Sequence, residues 1–308
     1  MNVLFLLLGV LCAGLGGELF VRGTVGLAKS LRISPGIVAA TVAAFATSSP
    51  ELTVSITSAL RGTPRIALGD ALGSNVVNVA LILGSALLIG VLHAPRGTIT
   101  RDFPAALAVP VVTALLLMDG ELSHIDGIIL LVLFLLWFLL VVRQAQRERS
   151  AVEEVLGAYP PGRALAEGTA GLVLLIAAGR LIVTGASGIA ASYGVSDFVI
   201  GATVVAVGTS VPELATTIIS RLRGHDEVGL GTVLGSNIFN GLLIVGVAST
   251  IAPIRIGFYQ VAPVLALGLI AVALTYPPPS GIINRHRGVI LLAVYAAYLG
   301  AVLQGLAE

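Results

Sequence analysis

The stretch Ala44-Phe45-Ala46-Thr47-Ser48-Ser49-Pro50-Glu51 occurs a second time, in altered form, as Ala206-Val207-Gly208-Thr209-Ser210-Val211-Pro212-Glu213. Each copy is followed by a second signature, Gly73-Ser74-Asn75-Val76-Val77-Asn78 in the first and Gly235-Ser236-Asn237-Ile238-Phe239-Asn240 in the second. Glu51 and Glu213 are 162 residues apart, and so are Asn78 and Asn240. A constant offset without a gap marks a duplicated unit. Each copy places hydroxyls, a carboxylate and a proline inside apolar sequence.

The surroundings of these motifs define the fold class. Of 308 residues, 56% are hydrophobic and 11% charged, against roughly 25% charged in an ordinary soluble domain. Apolar runs of about 20 residues recur, as in a polytopic helical membrane protein. The chain is therefore expected to be an all-α polytopic membrane protein surrounded by lipid. A net charge of +1 gives no reason to expect a nucleic-acid partner, and no obligate protein partner is implied. The single Cys12 excludes a disulfide framework and a thiolate metal centre. No basic stretch precedes the first apolar run, which continues to about residue 30, so a cleaved leader is not expected.

Hydropathy gives ten transmembrane helices at about 3–28, 35–60, 66–92, 103–119, 125–142, 165–187, 197–220, 228–250, 257–276 and 288–305. The expected organisation is a first repeat over 1–142, a polar linker over 143–164 and a second repeat over 165–308. Five is odd, so the second half enters the membrane from the opposite side. The two five-helix repeats are then inverted about a pseudo-two-fold axis in the membrane plane. With both termini extracellular and the linker cytoplasmic, inside loops hold Lys29, Arg32, Arg96, Arg101, Arg143, Arg147, Arg149, Arg163, Arg221, Arg223, Arg285 and Arg287. Outside loops hold only Arg61, Arg65 and Arg255, which is the bias expected of a plasma-membrane protein in this orientation.

Proline cannot donate a backbone hydrogen bond and clashes with the carbonyl four residues earlier. Pro50 and Pro212 are therefore expected to break helices 2 and 7 near Ala46–Thr47 and Gly208–Thr209. Irregular backbone at membrane depth survives only when buried in protein or lining a wet cavity. Freed carbonyls, hydroxyls and a carboxylate make an all-oxygen donor set, suited to hard cations such as Ca²⁺ and Na⁺. Thr47 with Glu51, Ser74 with Asn78, Thr209 with Glu213 and Ser236 with Asn240 are each spaced i, i+4, and so share a helix face. Gly69-x-x-x-Gly73 and Gly231-x-x-x-Gly235 offer small-residue faces for close helix approach. Two symmetry-related intramembrane glutamates locate a functional site near the midplane. Ser49, Thr53 and Thr57 are read as helix–helix hydrogen-bonding residues.

The doubled motifs resemble the α-repeats of the calcium/cation antiporters, specifically the sodium/calcium exchanger branch. The resemblance covers the whole ten-helix layout. It implies an inverted-repeat fold in which the first and sixth helices slide as a gating pair against an eight-helix core. It also implies that Glu51 and Glu213 bind Ca²⁺ and Na⁺, with hydroxyls from Ser48, Ser74, Ser210 and Ser236. Thr47 and Thr209 would give mainly carbonyls, Ala44 and Ala206 carbonyl oxygens for flanking Na⁺, and Asn78 and Asn240 would complete the centre. The sequence departs from the family pattern at Ala46, where Gly is usual, and at Asp70 and Thr232, where Asn is usual. Asn240 stands where many relatives carry Asp. Protons are expected to compete with cations at such a site.

The implied function is a secondary antiporter exporting Ca²⁺ in exchange for Na⁺ by alternating access, with no enzymatic centre and no cofactor. A Ca²⁺/H⁺ antiporter of the same superfamily is the nearest alternative, although its Gly-Asn-x-x-Glu signature is absent from the motif helices. A passive cation channel shares the ligand chemistry but has no need of inverted halves. An intramembrane hydrolase would need a base beside a buried serine, and His93, His124, His225 and His286 fall in or near loops. Glu18 and Arg180, also 162 residues apart, are candidates for an ion pair joining helices 1 and 6.

Overall fold

A computed structural model describes residues 1–151, 159–193 and 206–305. Helix 1 is Asn2–Leu31. Helix 2 is bent by 47° between helix 2a (Pro35–Thr47) and helix 2b (Ser49–Leu60). Helix 3 is Arg65–Ile89 and helix 4 Thr98–Asp119. Helix 5 is His124–Ala151 and helix 6 Pro161–Ser192. Of helix 7 the described parts are 7a (Ala206–Thr209) and 7b (Val211–Leu222); residues 197–205 of the expected span lie outside the described residues. Helix 8 is Asp226–Ile251, helix 9 Phe258–Thr275 and helix 10 His286–Gly305.

Several boundaries differ from the hydropathy reading, helix 6 among them at Pro161 and Ser192, and for two of them the physical reason is visible. Helix 4 starts five residues early with a π-helical turn, Thr98–Asp102. Its charges are hidden: Arg101 bonds the Asp102 carboxylate at 2.7 and 2.8 Å, and Trp137 Nε1 donates to the same group. Helix 5 runs past Val142 into the polar segment, where Gln144 donates to Glu148 one turn on and Glu148 accepts from the Ser34 amide. Helix length follows backbone hydrogen bonding, which hydropathy does not report.

Two short antiparallel ribbons fix the parity of the crossings. Leu92–His93, after helix 3, pairs with Ile282–Ile283, after helix 9. Glu121–Leu122, after helix 4, pairs with Ile254–Arg255, after helix 8. Paired segments share a membrane face, so the first ribbon lies on the face of the helix 5–6 linker. The second lies on the face of the two chain ends. This is the alternation that ten crossings and two inverted halves require. We call these the linker face and the termini face.

Helices 3 and 8 form the centre, with Asp226–Ile251 almost wholly enclosed, and helices 4 and 9 pack around them. Helices 1 and 6 pack against one another on the outside as an antiparallel pair. Their seam is built from small residues. A Cβ on Gly9 would meet Ile182, one on Gly16 would meet Leu174 and Gly171, and one on Gly23 would strike the Gly168 backbone. From the other side, a Cβ on Gly171 would strike the backbone of Phe20, and one on Gly185 that of Asn2 and Leu6. Backbones this close leave few interlocking side chains to resist sliding.

The antiparallel seam also removes the expected Glu18–Arg180 pair. Inverted symmetry sends equivalent positions toward opposite faces. Glu18 accordingly pairs with Arg22 and Arg223 on the linker side, each at 2.7 Å. Arg180 lines a groove on the termini side. Trp137 is buried against Phe134 and Phe239.

Gly23→Val should strain the seam and lower stability by about 1–3 kcal/mol. Gly14→Val, on the open side of the same helix, should stay within about 0.5 kcal/mol. Thermal unfolding of the two purified variants in detergent checks the contrast.

Candidate functional site

Helices 2 and 7 break at the same motif position. Ser48 sits between helices 2a and 2b with φ −86° and ψ 6°, and Ser210 between 7a and 7b with φ −88° and ψ 10°. Pro50 and Pro212 then occupy the first turn of the following half-helix, where a missing N–H costs nothing. The carbonyl of Ala46, deprived of the Pro50 amide, accepts from the Ser49 hydroxyl at 2.8 Å. Thr53 likewise bonds the Ser49 carbonyl of its own helix at 2.9 Å. These two residues therefore mend their own helix and do not bridge helices as the sequence suggested.

The breaks abut π-helical turns. Val77–Leu83 in helix 3 and Phe239–Ile244 in helix 8 are both π-helical, and each directly follows or contains the Gly-Ser-Asn signature's last asparagine. Between these turns the two halves meet through a reciprocal exchange. Asn75 Nδ2 donates to the Asn237 carbonyl at 3.2 Å, and Asn237 Nδ2 donates to the Asn75 carbonyl at 3.1 Å. Residues that equivalence maps onto each other thus bond each other, so the pseudo-two-fold axis passes between them. Asn78 Nδ2 adds a bond to Asn237 Oδ1 at 3.1 Å. The sequence reading assigned no role to Asn75 or Asn237. Their equal offset within an apolar run was the available signal.

Around this axis the expected donors are enclosed. Glu51 and Glu213 are 2% and 1% exposed. Ala44, Thr47, Ser48, Ser74, Asn78, Ser210, Ser236 and Asn240 are also buried, while Thr209 is half-buried beside the termini-side groove. Ala206 opens helix 7a. Across the halves, the Thr47 and Ser236 hydroxyls are 3.5 Å apart, and Ser236 donates to Glu213 Oε1 at 3.4 Å. Thr47 also donates to the Ala44 carbonyl at 3.3 Å.

Many oxygens here lack a hydrogen-bond partner among the described residues: Ser48 Oγ, Glu51 Oε2, Asn78 Oδ1, Ser210 Oγ, Glu213 Oε2 and Asn240 Oδ1. Buried polar atoms are ordinarily satisfied, and a set of orphaned oxygens around two carboxylates is the chemistry that a hard cation satisfies. Among the described residues, no three His, Cys, Asp or Glu side chains converge. The donors are therefore mostly neutral, the composition of a site that must release its ion as well as hold it.

Helix 8 reaches this site by the predicted glycine face. A Cβ on Gly231 or Gly235 would strike helix 2a at Gly36, Ala39 and Ala40. Gly69, in the equivalent face of helix 3, has no neighbour within 4 Å of such a Cβ among the described residues. Its equivalent partner segment, 198–202, lies outside the described residues.

A groove of about 690 Å³ reaches the broken helices from the termini side. It is lined by Ser49, Pro50 and Thr53 of helix 2, Gly179 and Arg180 of helix 6, and Thr209 and Pro212 of helix 7. On the linker side, one cavity of about 120 Å³ is lined by residues such as Phe20, Ala46 and Leu172, and another of about 370 Å³ by Glu18, Arg22, Arg163 and Arg223; neither is lined by Pro50, Thr209 or Pro212.

An inverted-repeat membrane protein with a buried oxygen cage at its axis is a polytopic ion transporter. Comparison with known proteins identifies which. The chain matches the family described as "Sodium/calcium exchanger protein" over residues 1–143 and 168–304, and it belongs to that family. It is 36% identical over 310 residues to "Putative antiporter CaxA" of Alkalimonas amylolytica, covering 96% of each chain. It is 28% identical over 346 residues to "Sodium/calcium exchanger MaX1" of Methanosarcina acetivorans, covering 97% of each. Its fold matches the sodium/calcium exchanger structure from Methanococcus jannaschii with a TM-score of 0.83 at 29% identity, covering 97% of each chain. The protein is a cation exchanger of the membrane, and its family transports Ca²⁺ and Na⁺ as substrates.

Replacing Asn75 or Asn237 by Ala leaves a buried carbonyl without its donor and should destabilise the protein by about 1–3 kcal/mol. The double variant should lose less than the sum, because the two bonds report one contact. Thermal unfolding of the three variants measures the coupling.

Proposed function

We propose that the chain is a secondary antiporter that moves Ca²⁺ against Na⁺ by alternating access, with one shared site at the helix breaks. The observation that carries this reading is the pair of buried glutamates, each with an unsatisfied oxygen, at equivalent positions on either side of the axis. Glu51 and Glu213 are the charged ligands. Ser48, Ser74, Ser210 and Ser236 provide hydroxyls, Thr47 and Thr209 mainly carbonyls, and Asn78 and Asn240 amide oxygens. Ala44 and Ala206 provide carbonyls for flanking Na⁺. Two negative charges match one Ca²⁺ or the larger part of a set of Na⁺ ions, so the two cargoes compete for one cage.

The repeats proper are residues 1–142 and 165–308, joined by a linker over 143–164. Helices 1 and 6 are the moving pair. Their glycine seam supports sliding along each other and over the core, and the groove that reaches Pro50, Thr209 and Pro212 from the termini side supports a state open toward that face. Arginine distribution supports an orientation with that face outside the cell and the linker in the cytoplasm, in a plasma membrane.

The test is ⁴⁵Ca²⁺ uptake into proteoliposomes loaded with Na⁺, with K⁺-loaded vesicles and vesicles under an imposed pH gradient beside them. Uptake should require internal Na⁺ and fall to background in Glu51→Gln and in Glu213→Gln. It should also rise from about pH 6 to about pH 8, since only ionised carboxylates hold the cation. Uptake driven by the pH gradient alone would instead assign proton coupling, and a leak independent of any gradient would assign a channel.

A further inference from the structure

The two halves differ in charge one turn from the cage. Helix 3 carries Asp70, Ser74 and Asn78 at i, i+4 and i+8, a single row along one side of the helix. Helix 8 carries Thr232, Ser236 and Asn240 at the equivalent positions. Helix 3 begins on the termini face, where Arg65 donates to the Arg255 carbonyl of the ribbon. Helix 8 begins on the linker face, where Asp226 accepts from the His93 amide and pairs with Arg221. Asp70 therefore lies between the cage and the termini face, and Thr232 between the cage and the linker face. Both positions lie one turn outside the cage, toward opposite faces. One is a carboxylate and the other a hydroxyl.

Asp70 has no ion-pair partner among the described residues, and its Oδ2 is enclosed without a hydrogen bond. Such a carboxylate at membrane depth is costly and calls for a cation. The Tyr298 hydroxyl lies over Gly73, one turn along the row. Glu51, fully buried, leaves Oε2 unpartnered on the cage side. Asp70 does not merge with Glu51 and Glu213 into one three-carboxylate cluster, so it is a separate step. Thr232 Oγ1 is likewise unpartnered but carries no charge.

We propose that Asp70 is a specificity-determining carboxylate between the cage and the termini face, and that it gives this face tighter binding of divalent cations than the linker face, where Thr232 stands. The proposal rests on the site reading above and deepens it. A carboxylate attracts a divalent ion twice as strongly as a monovalent one at equal distance, so Asp70 favours Ca²⁺ over Na⁺ at the termini-side step in either direction of exchange. The protein is then an asymmetric exchanger built on a nearly symmetric frame.

The experiment is ⁴⁵Ca²⁺/Ca²⁺ exchange, which needs no Na⁺, in right-side-out and everted membrane vesicles. The wild type should half-saturate at lower Ca²⁺ on the termini face than on the linker face. Asp70→Asn should raise the termini-face value roughly tenfold, the effect of one charge acting through partly solvated protein, and leave the linker-face value within about twofold. Asp70→Glu should keep the asymmetry, which separates charge from shape. Adding Thr232→Asp to Asp70→Asn should transfer the tighter side to the linker face. Equal values on both faces of the wild type, or equal weakening of both by Asp70→Asn, would overturn the proposal. Exchange that persists in Glu51→Gln would instead overturn the shared site and leave the Asp70 asymmetry standing as a separate result.

Discussion

Everything in the structure hangs on the exchange of amides between Asn75 and Asn237. Each side chain satisfies the carbonyl of the other, and neither bond has a competitor from water at this depth. The contact is self-complementary, as any contact on a two-fold axis must be. It locks helices 3 and 8 side by side at the level of their π-helical turns. Those turns carry Asn78 and Asn240, so the clasp sets the distance between two oxygens of the cage. With helices 3 and 8 fixed, the broken helices 2 and 7 find their positions by packing against them, helix 2a through Gly231 and Gly235.

A fixed centre needs a movable boundary if ions are to enter and leave, and the two are made from different chemistry. The centre is held by directional hydrogen bonds and dense apolar packing. The boundary between helices 1 and 6 is held by backbone proximity at glycines. Hydrogen bonds resist displacement because a small shift breaks them, whereas a smooth backbone seam loses little when one helix slides on the other. Charged residues follow the same division. Glu18, Arg22 and Arg223 form a partly exposed group at the linker end, where solvation lets pairs reform after a shift.

The duplicated motif made the inverted repeat, the number of crossings and the burial of ten of the twelve candidate ligands legible, because a repeated offset survives without knowledge of packing. Proline placed both helix breaks to within a residue or two of Ser48 and Ser210 for the same local reason. What was not legible depended on contacts between distant segments. Asn75 and Asn237 looked like spacers between better-marked residues. Helix 4 began unseen at Thr98 because the Arg101–Asp102 pair reads as polar loop until its partners are known. The expected Glu18–Arg180 pair failed because equivalence was taken for proximity. In an inverted repeat, equivalent residues meet only on the axis, and elsewhere they lie on opposite sides of the membrane.

That last rule explains how one cage can serve two faces. Away from the axis, each residue of the first half has its counterpart on the other route, so the routes are built alike and differ only where the sequence has diverged. On the proposed reading, an empty cage holds two carboxylates out of water with no countercharge, and closing over it would add to their desolvation. A bound cation removes most of that cost. Closure of the seam is then favoured when the cage is filled and opposed when it is empty, which couples the movement of helices 1 and 6 to cargo without any direct contact between them and the ion. The coupling follows from electrostatics in an enclosed space, and for this the two glutamates must be buried deeply enough that the protein alone does not neutralise them.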